Sequence, residues 1–463
     1  MLIFPIIYFS SFFIAIKQIF RQNKQGIFIF LIFGLPIYTT SLSIVLQEGL
    51  GSLIPIMQLF KELLILITLG MCVWELKKRI KPLPIDYFAL AYFAITFLYA
   101  LFPVGSYGFF DRMIAFKSSS FFIIIYLAGR LFNPRHVYIS KYFHYILAVI
   151  IAASLLLIFE ILTDQHFQIL TGYAEFNYRL FNQDPSGNYG LTWTFETSTG
   201  LKRFASFFAN PLEYGAATLV ALAVIAGLYT MNDNKFKVDP LGIAAILATQ
   251  FSIFYALSRA SLASYFIMIY VYALATKNRK ILNLIHFGLI AGIIYFAFFL
   301  FVVHPDLYDF IYETITFTNP SSIGHIIAWL EGIDAIVANP LGLGLGQSGR
   351  VAVSNNDTIG GENQLIIFAV QTGILSAILY ISMFVYLIRK CWAWFPKLRG
   401  KERKICLALL LMKVGFIIPL LTTEFESYSY ISYISWFLSG IFVNIISNKI
   451  SSNSIPLKQH STS

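Results

Sequence analysis

Charge is what this chain has least of. Only 12% of its 463 residues are Asp, Glu, Lys or Arg, against about a quarter in soluble globular domains. That scarcity excludes a soluble domain, and no stretch reads as a separate one. Cysteine is scarce too: Cys72, Cys391 and Cys406 show neither metal-ligand spacing nor a disulfide framework. Short segments of alternating polarity are missing, which argues against a transmembrane β-barrel. The net charge of +10 comes without a basic groove of interleaved aromatics, so nucleic acid is not an expected partner. The first apolar run lacks the basic start and small-residue cleavage site of a signal peptide, and it reads as a span.

Apolar residues fill the space that charge leaves. They make up 58% of the chain and cluster in runs near the ~20 residues that cross a bilayer. The runs fall at about 3–20, 27–46, 54–75, 85–103, 113–132, 142–162, 207–229, 239–256, 260–276, 282–303, 364–388, 405–422 and 430–447. The expected fold is an all-α polytopic membrane protein of about 12–13 transmembrane helices, one membrane domain over 1–463. Basic residues follow the odd-numbered runs: Arg21 and Lys24, Lys77 to Lys81, Arg130 to Lys141, Lys235 and Lys237, Lys277 to Lys280, Arg389 to Lys404, then Lys449 and Lys458. The positive-inside rule makes those loops cytoplasmic. Two long segments, about 163–206 and 304–363, then lie on the extracytoplasmic side as a functional cap. The first is rich in aromatic, Asn and Gly residues, which suits sugar binding or packing on the membrane interface.

Several charges sit at or inside span ends, where they are costly and usually face a cavity or a partner. Lys61 and Glu62 read as a structural pair, whereas Arg112 and Lys117 at the fifth run fit either role. Lys202 and Arg203 precede the seventh run in LKRFASFFANPLEYG, and Arg259 occupies the turn YALSRASLASY. Basic side chains converging at the outer interface would hold a phosphate-bearing lipid head group, because the guanidinium fork matches phosphate oxygens.

The least membrane-like stretch is 319–373. An amphipathic helix is expected over 304–317, then a second after Asn319–Pro320 with Ser321 or Ser322 as N-cap. His325, Trp329 and Gly332 share a face of that second helix at i, i+4, i+7 spacing. LGLGLG at 341–346 has neither Rossmann nor Walker spacing and reads as a hinge or close-packing turn. Arg350 follows it, and Glu362 lies where the chain re-enters the membrane. Reduced solvation there suits Glu362 to accept a proton, although an acid at a helix start also complements the helix dipole. His325 stands open between a catalytic and a structural role.

The ordered set KRFASFFANP, SRAS, GHIIAWLEGIDAIVANPLGLGLG and GENQLIIFAVQTGI, between Lys202 and Ile374, resembles the O-antigen ligase and O-antigen polymerase superfamily of bacterial cell envelopes. The resemblance implies a lipid-sugar glycosyltransferase of GT-C type with a large helical extracytoplasmic loop. It implies a polyprenyl-pyrophosphate-linked oligosaccharide as donor, membrane lipids around it, no cofactor and no metal. The bacterial inner membrane is then the expected location, with the active site on the periplasmic side and a chain-length regulator as a further expected partner. Arg203, Arg259, Arg350 and Lys202 would bind pyrophosphate, and Glu362 or His325 would be catalytic. Two departures stand out. His325 occupies a place where the superfamily often has Arg, and Glu362 one where ligases typically have His. The second departure favours repeat-unit polymerisation into O-antigen, capsule or exopolysaccharide over ligation to lipid A core. A lipid-linked-sugar flippase is the competing class, though the asymmetric outer loop and missing repeat disfavour it.

Overall fold

A chain that crosses lipid must satisfy every backbone polar group internally, and apolar runs meet that demand as helices. The computed structural model describes residues 1–76, 80–133, 137–197, 200–298, 320–350 and 359–453. Among them the chain is all-helical, with no strand and three isolated backbone bridges in its connections. Ten described helices are long and apolar enough to cross a membrane: Ile3–Phe20, Gly51–Trp74, Pro84–Leu101, Phe109–Leu131, Ile139–Thr163, Pro211–Tyr229, Arg259–Thr276, Ile374–Lys397, Gly400–Thr422 and Ser429–Ser451. The protein is therefore a multi-pass membrane protein.

Each of the thirteen runs contains helix, but three are not plain spans. The second bends by 63° between Lys24–Gly34 and Tyr38–Gln47, with Pro36, which has no N–H to donate, at the break. The eighth is a 17-residue helix, Pro240–Ala256. The eleventh is cut at Gly373 into Gln364–Thr372 and Ile374–Trp394. The tenth, Arg279–Phe298, stops at the edge of the described residues. The helix expected over 304–317, and Lys77, Lys78, Arg79, Arg135 and Lys458, lie outside the described residues.

Small residues decide which helices sit inside. In the most apolar 18-residue stretches of the Ser429–Ser451 and Pro211–Tyr229 spans, 94% and 89% of the residues are buried, against 33% for Ile3–Phe20. A Cβ on Gly129 would lie 2.1 Å from the Phe437 carbonyl oxygen, and one on Gly440 would lie 2.2 Å from that of Tyr126. The Phe109–Leu131 and Ser429–Asn453 helices therefore meet backbone to backbone, as glycine allows between membrane helices. Peripheral helices instead expose large side chains such as Phe13, Leu59 and Leu247.

Several charges of the bundle are paired, within one helix or between two. Lys61 and Lys117 both approach Glu62 Oε1, at 3.0 and 3.3 Å. Arg130 Nε lies 3.1 Å from Asp86 Oδ1. Lys61 and Glu62 are thus a structural pair, and Lys117 belongs with them. Arg112 is buried, and its Nε meets no hydrogen-bond partner among the described residues. Cys72, Cys391 and Cys406 are buried free thiols.

Candidate functional site

One buried carboxylate organises the end of the bundle where the site lies. Glu160, in the last turn of Ile139–Thr163, accepts the Phe167 N–H at 2.8 Å and the Ser206 N–H at 2.9 Å. Gln168 Nε2 donates to the carbonyls of Ser206 and Phe208 at 2.7 and 2.9 Å. These bonds tie the start of the 163–206 segment to its end. Asn210 then caps the Pro211–Tyr229 helix, its Oδ1 accepting the Glu213 N–H at 2.9 Å. An N-cap amide of this kind satisfies an otherwise orphaned donor, and here it fixes Glu213 in the first turn.

Asn210 and Glu213 line a cavity of about 730 Å³. Its walls come from the broken second run, the 173–194 part of the first outer segment, the start of Pro211–Tyr229, the turns at Arg350 and Glu362, and the connection from Thr423 to Ser429. Arg350 and Glu362, both expected site residues, meet here with Glu213 and Glu424. The Arg350 N–H donates to Glu424 Oε2 at 2.8 Å, and its guanidinium carbon lies 5.9 Å from the Tyr428 ring centre. Desolvation works against the Arg350 charge, but Glu424, Tyr428, Tyr173 and Glu213 outweigh it and raise its pKa. Burial pushes the Glu424 carboxyl up, Arg350 opposes this, and the charge of Glu362 adds to the rise. Carboxylates that feel one another around one cation can share and pass a proton.

The glycine run positions Arg350 by close packing. The Leu343 and Gly344 N–H groups donate to the carbonyls of Val370 and Gln371 at 2.7 and 3.0 Å. Gly344 has φ +114, and a Cβ there would lie 2.3 Å from the Val104 carbonyl oxygen. Only glycine fits such a backbone. The run is wedged between two backbone segments, in keeping with a close-packing turn. Glu362 is held from the other side. The Pro320–Ala338 helix places Gly332 against Ile366 and Gly360, and Ala328 against Gly361. His325 is on that helix; its side chain lies outside the described residues.

Arg203 and Arg259 form a second grouping. The Arg203 N–H donates to the Phe195 carbonyl at 2.8 Å, and the Phe204 N–H donates to that of Tyr255 at 3.2 Å. Arg259 opens a helix capped by Ser258, whose Oγ accepts the Ser261 N–H at 3.3 Å. Arg203 Nε is buried and meets no acceptor among the described residues. Burial and the neighbouring Arg259 charge both lower the Arg203 pKa. A desolvated guanidinium beside a second cation favours an incoming anion, and phosphate oxygens match its geometry. Lys202 is placed differently. Its Nζ lies 2.6 Å from Asp164 Oδ2 and donates to the Asp164 carbonyl at 2.7 Å.

Glu213 and Glu424 escaped the sequence reading. Glu213 had a signal, an acid three residues after Asn210 in ANPLEYG. Glu424 had a weaker one, TEFESYSY between the last two spans. Its neighbour Glu426 is structural, accepting the Trp436 indole N–H at 2.9 Å. Among the described residues, no three His, Cys, Asp or Glu side chains are placed to hold a metal ion. Compared with known proteins, the chain matches no family model and no curated sequence.

Proposed function

We propose that this protein is a membrane glycosyltransferase that polymerises polyprenyl-diphosphate-linked oligosaccharide repeat units, in the assembly of O-antigen, capsule or exopolysaccharide. The observation that carries this reading is the cavity in which Glu362 and Arg350 meet Glu213 and Glu424. The acceptor sugar hydroxyl attacks the anomeric carbon of the donor from the face opposite the diphosphate. The bond from that carbon to the diphosphate oxygen breaks, its electron pair leaves with the polyprenyl diphosphate, and configuration inverts. Glu362 takes the hydroxyl proton, a role open to an exposed carboxylate that lines the cavity. Arg203 and Arg259 receive the charge that develops on the diphosphate, the kind of fixed electrostatic stabilisation that dominates many transfer reactions. Arg350 orients the sugar or the diphosphate beside Glu362. The two groupings are linked through the backbone: the Arg203 N–H is bonded to the carbonyl of Phe195, the residue after Thr194 of the cavity lining. The basic loops after the odd-numbered runs support a plasma-membrane protein whose cavity faces the extracytoplasmic side.

The test uses full-length protein in vesicles with repeat units on polyprenyl diphosphate, followed by gel ladder and product mass. A ladder of multiples of one repeat, with polyprenyl diphosphate released, is expected. Transfer only when lipid A core is supplied would replace polymerisation with ligation. Movement of the donor across the bilayer without a new glycosidic bond would replace it with transport.

A further inference from the structure

The wall facing the carboxylates is the 173–194 part of the first outer segment, and it is built rigidly around one exposed ring. Leu191, Phe195, Tyr173 and Ala205 form a small apolar core of their own. Glu196 accepts the Asn188 N–H at 3.0 Å and its Nδ2 at 2.7 Å, and the Tyr189 hydroxyl donates to the Gly200 carbonyl at 3.0 Å. On this scaffold Trp193 lines the cavity while remaining 68% exposed. An indole held open on a braced loop offers an apolar face with no partner to cover it. Asn177 lines the same wall and is only 7% exposed, with its amide directed at the Tyr173 hydroxyl. An amide carries two N–H donors, and Tyr173 takes one of them, which leaves the second for a ligand at this wall. The third feature is charge. Among the described lining residues, the exposed carboxylates Asp184 and Glu362 outnumber the guanidinium of Arg350, and the Glu213 and Glu424 carboxyls lie beside it. An anionic sugar entering this cavity would meet an excess of like charge, which costs affinity and excludes wrong partners.

We infer that Trp193 and Asn177 form a glycan subsite that takes uncharged or amino sugars and rejects uronic acids. The inference rests on the glycosyltransferase reading, and it names the substrate class of that same cavity. Trp193 stacks on the apolar face of a pyranose ring, Asn177 donates to a ring hydroxyl, and the carboxylates accept from hydroxyls or pair with a sugar ammonium.

The experiment measures binding alone, so it does not depend on turnover. Full-length protein in nanodiscs is titrated with three oligosaccharides of equal length: maltohexaose, a chitosan hexamer and hexagalacturonate. The expected result is that maltohexaose or the chitosan hexamer binds at least tenfold more tightly than hexagalacturonate. Trp193→Ala should weaken that binding at least tenfold, with Trp193→Phe restoring most of it and the thermal midpoint unchanged. Asp184→Asn should narrow the gap to hexagalacturonate. Equal or tighter binding of hexagalacturonate, no binding of any of the three, or indifference to Trp193→Ala would overturn the subsite. A subsite that fails while repeat units still polymerise leaves the transfer reaction standing. Binding that holds while no ladder forms overturns the transfer and keeps the subsite.

Discussion

Arg350 and Arg203 are the same side chain in opposite surroundings. Arg350 stands among Glu213, Glu424, Tyr173 and Tyr428, which hold its charge above the usual arginine range. Arg203 stands beside Arg259, and burial and like charge act against it together. The first is already compensated by those neighbours, and in the proposed reaction it positions what enters the cavity. The second meets no acceptor at Nε among the described residues and gains most from an added anion, because each new phosphate contact relieves both desolvation and repulsion. In the proposed reaction these become a proton-handling half and an anion-handling half, and the Arg203 N–H is bonded to Phe195, next to the cavity lining.

Substitutions can break this division, the largest first. Glu362→Gln removes the proposed base without changing its size, and the polymerisation rate should fall by about 10²–10⁴-fold, with donor binding kept. An effect below tenfold would leave Glu362 as an ordinary helix-start acid. Arg203→Ala or Arg259→Ala should slow polyprenyl-diphosphate release by about 10²–10³-fold and abolish long-chain glycan at unchanged protein levels. Lys202→Ala sharpens the contrast. Its charge is committed to Asp164, and partly exposed pairs contribute little, so only a few-fold loss is expected in the same assay.

The next two variants act on the frame of each half. Gly344→Ala forces a side chain into a left-handed backbone against the Val104 carbonyl. Strain of this kind costs on the order of 1–3 kcal/mol and should lower the thermal midpoint in detergent, with activity falling in parallel. On the Arg203 side, His166 is buried among Tyr189, Phe195 and Phe204. Burial and then Lys202 lower its pKa from 6.5 to about 4, against smaller opposing effects of Asp164 and Glu196. A lowered histidine pKa means that the folded state prefers the neutral ring. Its contribution is present above about pH 6.5 and is lost as pH falls toward about 4. The thermal midpoint should therefore decline across that window in the wild type, and His166→Phe should flatten the decline. An unchanged profile in the variant would assign the acid sensitivity to other groups.

Much of the fold was legible because apolar runs in a chain so short of charge have only one way to satisfy their backbone. All thirteen runs contain helix. What escaped were the interruptions. The Gly373 cut looks like uninterrupted apolar sequence, and its cause lies in a distant segment, since a Cβ there would lie 2.7 Å from the Leu341 carbonyl oxygen. The site was legible in part for a related reason. Arg203, Arg259, Arg350 and Glu362 drew notice as charges in an apolar chain, and the folded chain brings them together in two pairs. Lys202 drew the same notice, but nothing in its local sequence revealed Asp164 as its partner. Glu213 and Glu424 were missed because each looks like an acid at a helix start or in a short turn.

By itself the sequence determined that this protein spans a membrane, which helices exist, and which few charges demand an explanation. Those properties follow from local composition and from the energy of placing polar groups in lipid. Only the tertiary structure decided that Glu362 shares a cavity with Arg350, Glu213 and Glu424, and that Arg203 faces Arg259. Such meetings depend on close approaches between segments far apart in sequence. Two of them, Gly129 against Phe437 and Gly344 against Val104, exist because a side chain is missing, and a one-dimensional pattern cannot say what fills that space.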